Sequence, residues 1–410
     1  MVGFTTRILH SDRQDAIEHG SLHKPVHGSV AYGYADARDL AGVFQGTHKG
    51  YSYGRQVNPT VAALEKQIND MERGFETVCF STGMAAIGTL LFALLRRGDH
   101  FVSSSFLFGN TNSLFNSFTA HGLEVSFVDA TRAEHVAAAI RDDTKLVFVE
   151  TIANPRTQVA DLEGIANVCQ QHNLIYVVDN TMTTPFLYQP IDSDADIVIH
   201  SLTKYIGGHG NVLGGAITDT GRYDWQSFGN IYDTYQKGDP RKWGITQIRK
   251  KGLRDFGGTL DAEAANRIAL GAETLALRIE KQCENAQRLC DYLIAHPRCK
   301  TVYYPGLAHH PEFERTKRLF KHPGAIFSFE LHDGIDPFEF MNAMQIVIKS
   351  SNLGDTRTLA IPVAHTIYFE MGPERRASMG IDDSLIRIST GIEDVDDLLE
   401  DFERAFQATT

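Results

Sequence analysis

Residues 145–182 read KLVFVETIANPRTQVADLEGIANVCQQHNLIYVVDNTM and decide the fold. The apolar runs at 145–150 and 174–179 have the length and the β-branched content of buried strands. Between them, residues 162–172 have the apolar spacing of an amphipathic helix. A buried strand, a helix and a second buried strand together predict a parallel pair of strands with a crossover helix.

The same alternation continues on both sides of this unit. Further strands are predicted at 100–105, 124–129 and 196–201, and further helices at 111–122 and 133–142. Apolar strands separated by helices indicate an α/β fold with a parallel sheet covered by helices on both faces. Ligands of such folds bind beyond the carboxyl ends of the strands, so the polar residues at those ends are the candidate site.

The length and the pattern predict more than one structural unit. A chain of 410 residues is longer than a typical single domain. Residues 1–58 are polar and glycine-rich and are expected to form an N-terminal arm, followed by a large domain at 59–260. A long helical stretch at 261–296 is expected to bridge to a small C-terminal domain at 297–410.

The composition restricts the functional classes. The formal net charge of −12 disfavours nucleic acid as a partner, because phosphate binding needs clustered lysine and arginine. No apolar run has the length of a membrane span, and the N-terminal residues do not resemble an export signal. The five cysteines form no CxxC pair and match no zinc pattern, so no metal site is predicted. We therefore expect a cytoplasmic protein with a small-molecule ligand.

Three features with complementary chemistry follow predicted strands. Asp179 ends a buried strand, where a carboxylate is costly unless it has a partner. The stretch FSTGMAA at 80–86 turns into a helix, and the free N–H groups at a helix start bind phosphate. Lys204 follows another strand and is flanked by the hydroxyl groups of Ser201 and Thr203. Each feature alone also has an ordinary explanation as a loop cap, a helix cap or a surface turn.

Together the three features fit one ligand. It needs a phosphate for the loop and the hydroxyls, a ring nitrogen for the aspartate and an aldehyde for the lysine, and pyridoxal phosphate has all three. The aspartate keeps the ring nitrogen protonated, and the lysine is placed to move protons. A nicotinamide site is disfavoured, because the glycines at 207–215 lack the GxGxxG spacing and do not open a helix.

The stretch HSLTKYIGGHGNVLGG at 200–215 resembles the pyridoxal-phosphate-dependent enzymes of Cys/Met metabolism. This transsulfuration family includes cystathionine γ-synthase, the cystathionine lyases, methionine γ-lyase and O-acetylhomoserine sulfhydrylase, and the resemblance extends from about residue 51 to the C-terminus. It implies fold type I, with a large, mainly parallel domain of the seven-stranded type and a smaller α/β C-terminal domain. It also implies a homodimer with shared active sites, paired into a homotetramer.

Several motifs imply contacts to the cofactor. By its resemblance to the family, YSYGRQVNPT at 51–60 implies that the N-terminal arm carries Tyr53 and Arg55 to the phosphate of the neighbouring subunit's cofactor. STGMAA at 81–86 implies a phosphate loop that uses backbone N–H groups. The implied cofactor-binding residues are Tyr53, Arg55, Gly83, Met84, Phe108, Asn154, Asp179, Ser201, Thr203 and Lys204.

Other motifs imply contacts to the substrate. LIRISTGIE at 385–393 implies that Arg387 binds the substrate α-carboxylate, a task that suits a bidentate guanidinium. SNLGD at 351–355 resembles the sulfhydrylase version of its motif and places Asn352 toward the substrate. The implied substrate contacts are Arg387, Asn352, Asn154 and Tyr53, and the implied catalytic residues are Lys204, Asp179 and Phe108.

The favoured function is γ-replacement on an O-acylhomoserine with a thiol or sulfide, as in cystathionine γ-synthase or O-acylhomoserine sulfhydrylase. Phe108 stands where the family has a stacking tyrosine, and phenylalanine can stack but cannot transfer a proton. Asn110 stands where methionine γ-lyases carry a cysteine, which disfavours that activity. A cystathionine β- or γ-lyase is the alternative. A non-catalytic binding protein is a third hypothesis. It is disfavoured, because it does not explain why Lys204, Asp179 and Arg387 occur together.

Overall fold

The computed structural model describes residues 2–11 and 17–409, apart from the side chains of Arg375 and Ser378. Its larger sheet has seven strands. In chain order they are β1 (Glu76–Phe80), β2 (His100–Ser104), β3 (Glu124–Val128), β4 (Thr144–Glu150), β5 (Ile175–Asp179), β6 (Ile197–His200) and β7 (Gly215–Asp219). The spatial order is β1-β7-β6-β5-β4-β2-β3; β7 is antiparallel to both neighbours, and the other pairs are parallel. The predicted α/β fold with a mainly parallel sheet is confirmed.

Helices connect these strands and continue beyond them. In the described ranges they are α1 (Phe4–Leu9), α2 (Ala37–Gln45), α3 (Pro59–Glu72), α4 (Gly83–Leu94), α5 (Gly109–Thr119), α6 (Ala133–Ala138), α7 (Leu162–Gln171), α8 (Thr184–Leu187), α9 (Trp243–Gln247), α10 (Arg254–Phe256), α11 (Ala262–Glu273), α12 (Leu275–Ala295), α13 (Phe313–Leu319), α14 (Pro337–Ala343), α15 (Pro373–Ser378) and α16 (Val395–Ala408). A π-helical segment, Ile248–Leu253, joins α9 to α10.

Both faces of the large sheet are buried. Successive side chains of a strand point to opposite faces, and on β5 Tyr176 and Val178 pack in one apolar cluster with Leu64 of α3. Val177 packs in the other cluster, on the face covered by α4 and α5, where it joins Leu90. Because helices cover both faces, the carboxyl edge of the parallel strands remains as the place for a site.

A second, smaller sheet lies in the C-terminal part of the chain. Its strands are β8 (Cys299–Tyr303), β9 (Ile326–Leu331), β10 (Ile348–Lys349), β11 (Leu359–Pro362) and β12 (Leu385–Ser389), in the spatial order β10-β11-β12-β9-β8. Only the short pair of β10 and β11 is parallel among these described strands. Phe329 of β9 and Phe402 of α16 belong to its apolar core. The predicted smaller α/β unit at the C-terminus is therefore present.

The segments predicted as an arm and a bridge contain local structure. In the predicted arm, residues 1 and 12–16 lie outside the described residues; α1 and α2 form within it, and Ile8 of α1 is buried. The segment 261–296 forms two helices, α11 and α12, with Thr274 between them. The domain limits themselves stay predictions. Among the described residues, no helix has the length and apolar character needed to cross a membrane.

Candidate active site

A cavity of about 780 Å³ lies where the carboxyl ends of β4, β5 and β6 meet the start of α4 and the loop before β11. Parallel neighbours end at the same edge of a sheet, which brings residues from distant parts of the chain to this one place. The predicted site residues that line it are Gly83, Met84, Phe108, Asn154, Asp179, Ser201, Thr203, Lys204, Asn352 and Arg387. Tyr53 and Arg55 do not line the cavity of their own chain.

Two buried carboxyl groups on neighbouring strands line the cavity. Asp179 ends β5, and Glu150 is its register partner at the end of β4. Burial raises the pKa of Asp179, while hydrogen bonds from Thr181, including its N–H to Asp179 Oδ1 at 2.9 Å, act against that rise. Burial and the neighbouring Asp179 raise the pKa of Glu150 well above its ordinary value. A buried cation that faces Asp179 would favour its ionised form and act against the rise of its pKa.

Glu150 was not predicted as a site residue. Its Oε1 accepts a hydrogen bond from the Phe108 N–H at 2.9 Å, so it holds the loop that carries the Phe108 ring. The signal available in the sequence was its place at a strand end, four residues before Asn154.

The Lys204 amine points into the cavity and has a side-chain partner. Lys204 Nζ donates to Asn352 Oδ1 at 2.8 Å. Burial, and to a smaller extent the charge of Arg387, lower the pKa of Lys204 to about 8. An amine with this pKa releases its proton readily near neutral pH, which suits both nucleophilic attack on an aldehyde and proton transfer.

Arg387 is a fully buried cation on β12, with 1 % of its surface exposed. Its Nη2 donates to the main-chain oxygens of Ser351 at 3.1 Å and Asn352 at 2.9 Å, and its Nη1 to Asn154 Oδ1 at 3.4 Å. Its buried Nε has no hydrogen-bond partner in the described part of the chain. Burial lowers the pKa of Arg387 to about 10, so it stays cationic at neutral pH. A buried guanidinium without a carboxylate partner is suited to bind one from a ligand.

Backbone N–H groups and hydroxyls surround the end of the cavity at the start of α4. The first N–H groups of a helix have no intrahelical acceptor, and Gly83 and Met84 occupy these positions. A Cβ built on Gly83 would lie 2.9 Å from the Cβ of Ser201, so the helix start approaches the end of β6 more closely than another residue allows. The hydroxyls of Ser201 and Thr203 complete a site suited to an anion.

Tyr53 and Arg55 lie together on the surface, away from the cavity. Tyr53 is 44 % exposed, and the Arg55 guanidinium lies 5.4 Å from the centre of its ring. Arg55 Nη1 also donates to the main-chain oxygen of Arg254. Within one chain, these two residues are therefore not brought together with the other predicted site residues.

Comparisons with known proteins decide the family. The family model "Cys/Met metabolism PLP-dependent enzyme" matches residues 5–407. The chain belongs to this family. It is 34% identical to a homocysteine synthase of Schizosaccharomyces pombe, over 98% of both chains, and 33% identical to an L-methionine gamma-lyase of Pseudomonas putida, over 99% of this chain and 98% of the relative.

A solved structure shows the same fold as this chain. It is a putative O-acetylhomoserine (thiol)-lyase of Campylobacter jejuni that contains a pyridoxyl-lysine monophosphate, with a TM-score of 0.93 and 29% identity over 99% of this chain and 100% of the other. The predicted family, fold type I and pyridoxal phosphate cofactor are confirmed. The protein is therefore a pyridoxal-phosphate-dependent transferase or lyase of sulfur amino-acid metabolism.

The chemistry of the cavity fits this cofactor. The amine of Lys204, the buried carboxyl of Asp179 and the N–H groups at the start of α4 offer one group for each functional part of pyridoxal phosphate. The close approach of Gly83 to Ser201 leaves the N–H groups beside the hydroxyls, as a phosphate requires.

Proposed function

We propose that this protein catalyses γ-replacement on an O-acylhomoserine, with a thiol or sulfide as the incoming group. The observation that carries the proposal is the ring of Phe108, which lines the same cavity as Lys204 and Arg387 and has no proton to donate. The acyl group of the substrate leaves as a carboxylate and needs little general-acid catalysis, whereas a leaving thiolate benefits from a proton donor. The homocysteine synthase and the O-acetylhomoserine (thiol)-lyase among the similar proteins support this choice. The methionine γ-lyase is equally similar, so similarity alone does not select it.

The residues that hold the cofactor follow from the cavity. Gly83 and Met84 bind the phosphate through their N–H groups, together with the hydroxyls of Ser201 and Thr203. Asp179 pairs with the ring nitrogen, Phe108 stacks on the ring, Asn154 approaches the phenolic oxygen and Lys204 binds the aldehyde. Their common position around one cavity supports this assignment. When bound, pyridoxal phosphate supplies an electron sink for the breaking C–H bonds of the substrate.

The remaining polar groups orient and deprotonate the substrate. Arg387 binds the α-carboxylate, and Asn154 and Asn352 line the substrate side of the cavity. The reaction removes one proton each from Cα and Cβ, expels the acyl carboxylate from Cγ and bonds the thiol sulfur there, while the S–H proton goes to solvent. The two removed protons then return to Cα and Cβ. The Lys204 amine, with its pKa of about 8 and its contact to Asn352, is suited to take up and return these protons.

We also infer that the active unit is a homodimer with shared sites, paired into a homotetramer. Tyr53 and Arg55 are assigned to the phosphate and the substrate of a neighbouring subunit. Their surface position, outside the cavity of their own chain, supports this assignment. The cytoplasmic location and the lack of a nucleic-acid partner stay predictions from the sequence.

Product analysis tests the proposed reaction. The purified enzyme is incubated with O-acetylhomoserine, O-succinylhomoserine, cystathionine or methionine, each with and without sulfide or cysteine. We expect homocysteine or cystathionine to form from an acyl ester and a thiol faster than pyruvate or 2-oxobutanoate forms from cystathionine, and faster than 2-oxobutanoate forms from methionine. Faster cleavage of cystathionine would establish the lyase alternative instead, and Lys204→Ala serves as the inactive control.

The same control tests the covalent role of Lys204. Lys204→Ala removes the only amine assigned to the aldehyde, so the absorption band of the lysine-bound cofactor in the visible should disappear. The circular dichroism should stay that of the wild type, because the substitution shortens a side chain that faces a cavity. An unchanged visible spectrum would show that another lysine binds the cofactor.

A further inference from the structure

The connection between β11 and β12 reaches from the second sheet to the active site. Ile367 of this connection lines the cavity, and the next residue, Tyr368, is completely buried. Tyr368 packs in an apolar cluster with Val363, Ala364 and Ile381 of the connection and with Leu385 at the start of β12. These apolar neighbours hold the ring of Tyr368 in place, while its hydroxyl group extends out of the cluster.

The Tyr368 hydroxyl lies against two loops of the large sheet. It is 2.7 Å from the main-chain oxygen of Asn154 and 3.2 Å from that of Leu107. A phenol carries one proton, so it donates to one of these oxygens at a time, and the shorter distance favours Asn154. Burial raises the pKa of Tyr368, which keeps the hydroxyl protonated and a donor at neutral pH.

Both acceptor oxygens belong to loops that carry site residues. Leu107 precedes Phe108 directly, and Asn154 itself lines the cavity. Asn154 Oδ1 accepts from Arg387 Nη1 at 3.4 Å, so the position of Asn154 affects the guanidinium assigned to the substrate carboxylate. The main chain of the connection also lies close to the loop of Phe108. A Cβ built on Gly109, the residue after Phe108, would lie 3.3 Å from the main-chain oxygen of Ile367.

We propose that Tyr368 is a positioning residue that ties the connection between β11 and β12 to the loops of Phe108 and Asn154 and thereby orders the amino-acid site. The inference rests on the proposed function for the roles of Asn154 and Arg387. Tyr368 itself does not line the cavity; it acts through Asn154 and through the loop of Phe108.

Tyr304 provides a matched control. It is also completely buried, and its hydroxyl also donates to a single main-chain oxygen, that of Gly324, at 2.9 Å. It packs in the core of the second sheet and does not line the cavity. Tyr304→Phe and Tyr368→Phe therefore each remove one buried hydroxyl and keep the ring, but only the second change affects the site loops.

The first measurement is hydrogen exchange of the holoenzyme, followed by mass spectrometry. Tyr368→Phe should raise exchange in peptides that cover 106–112 and 152–157, because their loops lose a shared anchor. Tyr304→Phe should leave exchange in these peptides as in the wild type. This measurement needs no turnover, so its result does not depend on which reaction the enzyme catalyses.

The second measurement is a spectral titration of the holoenzyme with glycine, which has the amino and carboxylate groups of the substrate but no γ-substituent. Tyr368→Phe should weaken glycine binding about tenfold, the order of effect of one lost hydrogen bond. With an O-acylhomoserine as the substrate, it should raise KM more than it lowers kcat. Tyr304→Phe should leave the glycine affinity, KM and kcat unchanged.

Two outcomes would overturn the proposal. One is unchanged exchange and glycine affinity in Tyr368→Phe; the other is an equal loss in both variants, which would show a general effect of a lost buried hydroxyl. A wrong proposed function gives a different result: the wild-type enzyme would bind glycine but would not convert an acyl ester and a thiol to product.

Discussion

At the scale of single residues, the proposed function makes Phe108 the residue that determines which leaving groups the site can expel. Its ring lines the cavity and its N–H is fixed by Glu150. Phe108→Tyr adds a hydroxyl, so we expect the ratio of kcat/KM for cystathionine cleavage to kcat/KM for replacement to rise by about a hundredfold, the lower end of a general-acid contribution. Steady-state rates with both substrates measure the ratio. A ratio that stays the same would show that another group protonates the thiolate.

The two adjacent carboxyl groups, Glu150 and Asp179, predict a pH-dependent stability. A carboxyl whose pKa is higher in the folded chain stabilises the fold at low pH, and this contribution is lost as the pH rises through the folded pKa. The pKa of Glu150 is raised well above its ordinary value. Glu150→Gln removes the ionisable group but keeps an oxygen for the Phe108 N–H.

The cofactor-free Glu150→Gln variant should therefore unfold at a higher temperature than the wild type at pH 8, with a difference that shrinks toward pH 5. Thermal unfolding across this pH range, followed by circular dichroism, measures the difference. Glu314→Gln, on the exposed surface of α13, is the control and should show no such trend. A lower unfolding temperature for Glu150→Gln at pH 8 would mean that the ionised carboxylate stabilises the fold.

At the scale of the elements, α4 contains two glycines, Gly83 and Gly88, whose substitution should affect different properties: cofactor binding at Gly83 and stability of the fold at Gly88. A Cβ on Gly83 would lie 2.9 Å from Ser201 Cβ and 3.1 Å from Ser201 Cα, whereas a Cβ on Gly88 meets only Leu114 Cδ2, at 3.7 Å. Gly83→Ala should push the helix start away from Ser201 and weaken binding of pyridoxal phosphate to the apoenzyme about tenfold or more.

Gly88→Ala should leave this affinity unchanged and raise stability by about 0.5–1 kcal/mol, because alanine is the better helix former. Fluorescence titration of each apoenzyme with the cofactor, together with thermal unfolding, compares the two variants. Equal affinities of the two would show that the start of α4 does not contact the phosphate.

The elements also show what the sequence could predict. Strands β2 to β6 were predicted to within about two residues, because buried parallel strands have continuous apolar runs between clear helical patterns. Strand β7 and its antiparallel direction were not predicted, because it follows a glycine-rich stretch and its short apolar content indicates neither a strand nor a direction. Motifs predicted Lys204 as a site residue, and it lines the cavity. Tyr368 was missed, because its hydroxyl contacts residues that are 214 and 261 positions away.

At the scale of the whole molecule, one chain leaves apolar and site-assigned side chains on its surface. Leu213 lines the cavity and is 60 % exposed, and the exposed rings of Phe92 and Phe256 pack 5.2 Å apart. Exposed apolar groups that lie together favour coverage by another chain. With Tyr53 exposed as well, these features support a second copy that covers the cavity and receives this chain's own Tyr53 and Arg55.

Mixing two disabled variants tests whether the sites are shared. Arg55→Ala and Lys204→Ala should each have little activity alone, because each lacks one residue of every site. After co-refolding, about half of randomly paired dimers are hybrids, and each hybrid holds one site with both residues intact, so about a quarter of wild-type activity should return. The control mixes Lys204→Ala with Asp179→Ala. Lys204 and Asp179 line the cavity of one and the same chain, so hybrid dimers of these two variants contain no intact site and should stay inactive. If native mass spectrometry shows hybrid dimers of Arg55→Ala and Lys204→Ala without any return of activity, each site is complete within one chain and the assignment of Arg55 to the neighbouring subunit is wrong.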